Sequence, residues 1–169
     1  MCNIIVMIGL PASGKSTFRN YICSNYTDMV VISNDDCLEY HAKLQGVSYN
    51  AIFHDNDVQD TCKNYLKDLF STSLEERKNI LIDKTNLTLK SRNRILSILP
   101  KEYKVHYVWF DIPRYVIDFN IFERYINTGK NIPKKVIDDM EKFYQEPVET
   151  EYDTLTIINE DYNYNFILE

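Results

Sequence analysis

Apolar positions along the chain fall into two kinds of run. Short, nearly unbroken stretches rich in β-branched residues occur at 3–9 ("NIIVMIG"), 28–33 ("DMVVIS"), 79–83 ("NILID"), 104–112 ("KVHYVWFDI") and 152–159 ("YDTLTIIN"). They read as strands buried on both faces. Between them lie longer segments with helical spacing, at 14–26, 34–43, 56–78, 87–99, 113–129 and 133–146. In the third of these, Val58, Cys62, Tyr65, Leu66 and Leu69 share one helical face. Pro113 and Pro133 sit where a first helical turn tolerates proline, and Gly129 suits a C-terminal cap. Residues 44–55 ("LQGVSYNAIFHD") read as a loop, and residues 160–169 form a polar and aromatic tail with no clear period. Strands alternating with helical crossovers predict an α/β fold, three layers deep, with a mainly parallel sheet flanked by helices. Ligands of such a sheet gather at the carboxyl ends of its strands.

At 169 residues the chain suits one domain, 1–169, large enough to bury a proper core. No apolar stretch is long enough to span a bilayer, and the N-terminal apolar run lacks a basic leader and a cleavage site, so an intracellular, cytoplasmic protein is expected. Cys2, Cys23, Cys37 and Cys62 are scattered without a CxxC pair, which indicates neither a zinc spacing nor a disulfide framework. A net charge of −6 excludes a broad electrostatic footprint on duplex nucleic acid but leaves room for contact with a strand end.

"GLPASGKST", residues 9–17, follows the first strand and opens the first helix. Gly9, Gly14, Lys15 and Ser16 complete G-x-x-x-x-G-K-[ST], in the context that motif requires. Backbone amides of the loop, together with Pro11, Ala12, Ser13 and Thr17, would cradle the phosphates of a nucleoside triphosphate at the helix N-terminus. Lys15 would reach the β and γ phosphates, and the Ser16 hydroxyl could ligate Mg2+. Beyond the second strand lie Asp35 and Asp36. Either could accept the proton of an attacking alcohol, and Asn34 and Asp35 are also suited to capping the helix that follows. Asp83 ends the third strand beside Thr85 and Asn86, where it could hold magnesium's water shell or simply form a turn. Arg114, Arg124 and Lys130 bracket a helix that could close over the nucleotide, with Gly129 as a hinge.

These blocks, in this order, resemble the polynucleotide 5'-kinase family: "GLPASGKST", "NDD" at 34–36, "IDKTN" at 82–86, and the "FDIP" segment with the arginine, "IP" and "VI" positions after it. The resemblance covers about residues 3–158. It implies a P-loop NTPase, kinase-like fold with a helical lid at about 114–135 and a C-terminal tail at about 159–169. It also implies ATP and Mg2+, and transfer of the γ-phosphate to a 5'-OH end of RNA or DNA. By the same resemblance Lys15 and Ser16 are phosphate and metal residues, Asp35 is the general base, Asp83 supports the metal centre and Arg124 is the lid arginine. Where the phage-type enzyme has an arginine that helps hold the polynucleotide phosphate, this chain has Leu38, followed by Glu39. A related kinase acting on a modified base, a tRNA-linked group, a nucleotide sugar or a small metabolite is therefore the alternative. A nucleotide-dependent switch without an acceptor is a further one. Tyr40 and Tyr49 are candidates for stacking a base.

Overall fold

The computed structural model describes residues 2–166 and 168; Met1, Ile167 and Glu169, which belong to the expected domain and tail ranges, lie outside the described residues. Five parallel strands, β1 (Cys2–Ile8), β2 (Met29–Ser33), β3 (Asn79–Asp83), β4 (Tyr103–Phe110) and β5 (Thr154–Ile158), stand in the order β2-β3-β1-β4-β5. β1 is central because every residue from Ile4 to Ile8 is fully buried, which only a strand covered on both faces can satisfy. Its side chains alternate between two cores. Ile5 and Met7 join Leu81, Val108 and Phe110 on one face, while Ile4, Val6 and Ile8 join Ile80, Ile82 and Tyr107 on the other.

Helices cover both faces. α1 (Lys15–Asn25), α6 (Arg114–Thr128) and α7 (Lys134–Lys142) insert Phe18, Ile22, Ile117 and Ile137 into the first core. α4 (Asn56–Glu75) and α5 (Leu89–Leu96) pack Leu66 and Ile95 onto the second. Burying each such side chain contributes about 1.5–3 kcal/mol. α2 (Asn34–Gln45) builds a third, smaller cluster with α4 from Leu38, Ala42, Val58 and Cys62.

Two regions differ from the sequence reading. Residues 44–55 are not all loop: α3 (Tyr49–Phe53) forms there, capped by the Ser48 hydroxyl, which accepts from the Ala51 amide. One helical turn is too short to show a period, but it drops Ile52 into the third cluster. The tail is partly core. Phe166 is buried, and its ring and that of Tyr164 meet the Phe18 ring edge-on, both at 5.6 Å. Several helices also end earlier than their patterns suggested, α5 at Leu96 and α7 at Lys142. No helix among the described residues is long and apolar enough to cross a membrane.

Candidate active site

The loop between β1 and α1 lies at the carboxyl edge of the sheet. Its geometry depends on two glycines. A Cβ on Gly9 would fall 2.8 Å from Phe110 Cβ and 2.9 Å from Ser13 Oγ, and Gly14 has φ +92°, a left-handed conformation that side chains disfavour. Ala12 also takes positive φ, at 61°. α1 starts at Lys15 without a side-chain cap, so its first turn presents amides and partial positive charge to whatever occupies the loop. Lys15 is buried there. Its ammonium donates to Gly9 O at 3.0 Å, Leu10 O at 2.6 Å and Ser13 Oγ at 3.3 Å. Burial lowers its pKa from 10.5 to about 8, against the pull of Asp83 and Asp35 and with a further push from Arg124. These hydrogen-bond acceptors are all neutral, so an anion in the loop would give the ammonium a charged partner, and the residues present fit a phosphate.

The ends of β2 and β3 bring three carboxylates to the same edge. Ser33, rather than Asn34 or Asp35, caps α2: its Oγ accepts from the Asp36 amide at 3.3 Å. This leaves both aspartates in the first turn with their side chains engaged elsewhere. Asp35 Oδ1 accepts from the Tyr49 hydroxyl at 2.7 Å. Burial, then the bond to Asp35, raises the pKa of that phenol, so Tyr49 stays a proton donor. Asp36 instead pairs with Arg19, whose Nη1 also reaches Asp83 Oδ2 at 3.0 Å. The Asp83 side chain is only 12% exposed, and desolvation raises its pKa although Arg19 and Lys15 oppose the shift. Ser16 is exposed in the first turn of α1, one turn before Arg19. Its hydroxyl and the Asp83 carboxylate are hard oxygen donors, the kind a magnesium site uses.

The "IDKTN" block holds the loop in place. Gly9 N–H donates to Thr85 O at 3.0 Å, and Asn86, buried with φ 47°, donates from Nδ2 to Met7 O at 2.8 Å. Buried Arg92 then ties Asn86 O to Gln145 O and to the Glu151 carboxylate.

α6 borders the phosphate loop through Asn120. Arg124 is half-buried, and its charge reaches both Lys15 and Tyr49, where it is felt in each pKa. Lys130 forms an ion pair with Glu39 and lies 4.2 Å from the centre of the Tyr49 ring, which joins the end of α6 to α2 and α3. Asn120 donates to Ala12 O at 3.0 Å and to the Tyr162 hydroxyl at 3.1 Å. Arg114 points away, pairing with Asp118, Asp138 and Glu141, and fastens α6 to α7.

Lys15, Asp35, Asp83 and Arg124, named from the sequence, are thus gathered within one electrostatic neighbourhood. Leu38 is not part of it: the side chain is fully buried in the third cluster, and Glu39 is the neighbour that pairs with Lys130. Sequence reasoning missed Arg19, Asn120 and Tyr162. Arg19 had a usable signal, since it stands four residues after Lys15 and so shares its helical face. Asn120 and Tyr162 carried none, because their roles arise from the docking of α6 and the tail.

A five-stranded parallel sheet with helices on both faces, a phosphate loop after β1 and carboxylates at the ends of β2 and β3 defines a P-loop kinase domain. The AAA domain family model matches residues 4–147, and the chain belongs to that family. It is 28% identical over 146 residues to an L-seryl-tRNA(Sec) kinase of Methanococcus maripaludis, covering 83% of this chain and 52% of that protein. Among solved structures it resembles a chain of the Pnkp1/Rnl/Hen1 RNA repair complex, with TM-score 0.68, 24% identity, and coverage of 87% of this chain and 48% of that one. It also resembles a fungal RNA kinase, with TM-score 0.60, 17% identity, and coverage of 97% and 76%. The chain therefore spans about half the length of the seryl-tRNA(Sec) kinase and of the RNA repair chain.

Proposed function

We propose that the protein is an ATP-dependent phosphotransferase that moves the γ-phosphoryl group to the 5'-hydroxyl end of an RNA or DNA strand. The observation that carries this reading is a phosphate loop whose buried Lys15 donates to loop acceptors and feels the charges of Asp35, Asp83 and Arg124. Asp35 accepts the proton of the attacking alcohol, and the Tyr49 hydroxyl bonded to it holds the carboxylate in place. Lys15 exchanges its backbone acceptors for phosphate oxygens when the donor enters. Arg124 neutralises charge that develops as the phosphoryl group passes from donor to acceptor. Arg19 pairs with both Asp36 and Asp83 and offsets their charge beside Asp35. Ser16 and Asp83 would hold Mg2+, which would supply positive charge beside the phosphates.

A second reading has a specific observation in its favour. The 28% identity to an L-seryl-tRNA(Sec) kinase supports an acceptor hydroxyl on an aminoacyl group carried by tRNA. Both readings place the alcohol on a polynucleotide, and a chain of net charge −6 would touch few of its phosphates.

Labelled ATP offered with 5'-hydroxyl oligoribonucleotides, 5'-hydroxyl oligodeoxynucleotides, seryl-tRNA and small alcohols separates them. Label at the 5' end of either oligonucleotide supports the leading reading. Label on seryl-tRNA alone supports the second, and label only on small alcohols overturns both.

A further inference from the structure

The third cluster contains an arrangement of donors that the phosphotransfer chemistry does not use. Cys37 and His41 lie four residues apart on α2 and so share one face of that helix. Across from them stands Cys62 of α4, fully buried. One ligand atom from each, the two sulfurs and an imidazole nitrogen, lies within 4.8 Å of the others. All of the cysteines are free thiols.

We infer that Cys37, His41 and Cys62 form a binding site for a thiophilic divalent cation of the zinc type. Thiolates and imidazole are the ligands Zn2+ prefers. A tetrahedral ion with sulfur at about 2.3 Å sets its ligand atoms roughly 3.8 Å apart. The present spacing, within 4.8 Å, is at most about an ångström wider than that, with Cys62 anchored in the core and Cys37 and His41 half-exposed. Three protein ligands leave a fourth position, which the half-exposed side of the cluster opens to water.

The lobe is one that a cation would strengthen. Its core consists of Leu38, Ala42, Ile52, Val58 and Cys62, flanked by Cys37 and Tyr49, so little apolar area holds α2, α3 and α4 together. Cys37 lies two residues beyond Asp35, and Tyr49 bonds to Asp35. A bound ion would therefore brace the segment that carries the carboxylate.

The test uses the full chain, freed of metal, reduced and without nucleotide, titrated with Co2+ and then Zn2+. One equivalent of Co2+ should give thiolate charge-transfer absorption and the strong visible bands of a tetrahedral ion, both removed by Zn2+. The oxygen donors near the phosphate loop cannot give the thiolate band. Against a chromophoric chelator, Cys37→Ser and His41→Gln should each weaken Zn2+ binding by more than about tenfold, with Cys23→Ser unchanged. These two positions are half-exposed, so both variants should keep the far-ultraviolet circular dichroism of the parent. Absence of the charge-transfer band in the parent overturns the site, as does a Zn2+ affinity in both variants equal to the parent's. A Cys37–Cys62 disulfide in protein isolated anaerobically from cells would also overturn it.

Discussion

Replacing Lys15 by methionine should change how stability depends on pH, before any nucleotide is added. In the folded chain burial lowers the Lys15 pKa from 10.5 to about 8. Between those values the unfolded chain binds the proton that the folded chain has released, so unfolding free energy rises with pH across this window. At about 1.4 kcal/mol per pH unit, the lysine's contribution should climb by about 2.5 kcal/mol from pH 7 to pH 10. A methionine at this position cannot titrate and keeps an unbranched stem of similar length. Loss of the bonds to Gly9 O, Leu10 O and Ser13 Oγ leaves acceptors unpaired, which costs about 1–3 kcal/mol but varies little with pH. Urea unfolding of parent and Lys15→Met, in reductant at pH 7, 8, 9 and 10, isolates the effect as a difference, because the cysteines and tyrosines titrate alike in both. The parent should gain on the variant by about 2.5 kcal/mol as pH rises. Parallel curves would refute a buried lysine held at lowered pKa.

The same lysine makes nucleotide affinity pH-dependent in the opposite sense. Phosphate raises the Lys15 pKa, so the complex binds more protons than the free protein and ATP affinity should fall by up to about tenfold per pH unit above pH 8, measured by equilibrium dialysis. Asp35→Asn should retain ATP binding but lower phosphoryl transfer by about 10²–10⁴-fold in a labelled-ATP assay, and unchanged turnover would remove Asp35 from the reaction. Arg124→Ala should lower turnover by at least about a thousandfold with a small effect on ATP affinity; an effect on affinity alone would make it a binding residue. Phe166→Ala should destabilise the chain by about 3 kcal/mol in urea unfolding, since its ring is buried against Phe18; no loss would mean that the tail is not core.

The sheet and the phosphate loop were legible because each has a short-range signature. β1 carries an unbroken apolar run, residues 4–8, as a strand covered on both faces requires, and the loop motif that begins at Gly9 fixes both the turn and the helix after it. The pairing of Asp36 and Asp83 through Arg19 was less legible, since it joins residues on three elements. Tyr49 was visible as an aromatic near the acceptor side. Its bond to Asp35, and the Lys130 ammonium over its ring, depend on the one-turn helix α3, which no period betrays. Leu38 shows the converse problem. Its place in the motif suggested the acceptor cleft, but position along a helix decides the face, and Leu38 falls on the buried one. Scattered spacing likewise concealed Cys37, His41 and Cys62, which only the packing of α2 on α4 assembles.

Tyr162 bears on where this chain can be shortened. A Cβ on Gly14 would lie 2.5 Å from Tyr162 Cε1, so the ring rests directly on the loop glycine, and its hydroxyl accepts from Asn120 of α6. The matched family region ends at residue 147 and the last strand at Ile158. A truncation drawn at either point would keep every motif residue. It would nonetheless strip one wall from the phosphate loop, a tether from α6 and the Tyr164 and Phe166 rings from Phe18. Such a fragment would preserve the signature of a kinase while losing its support, and inactivity in it would say nothing about Lys15, Asp35 or Arg124.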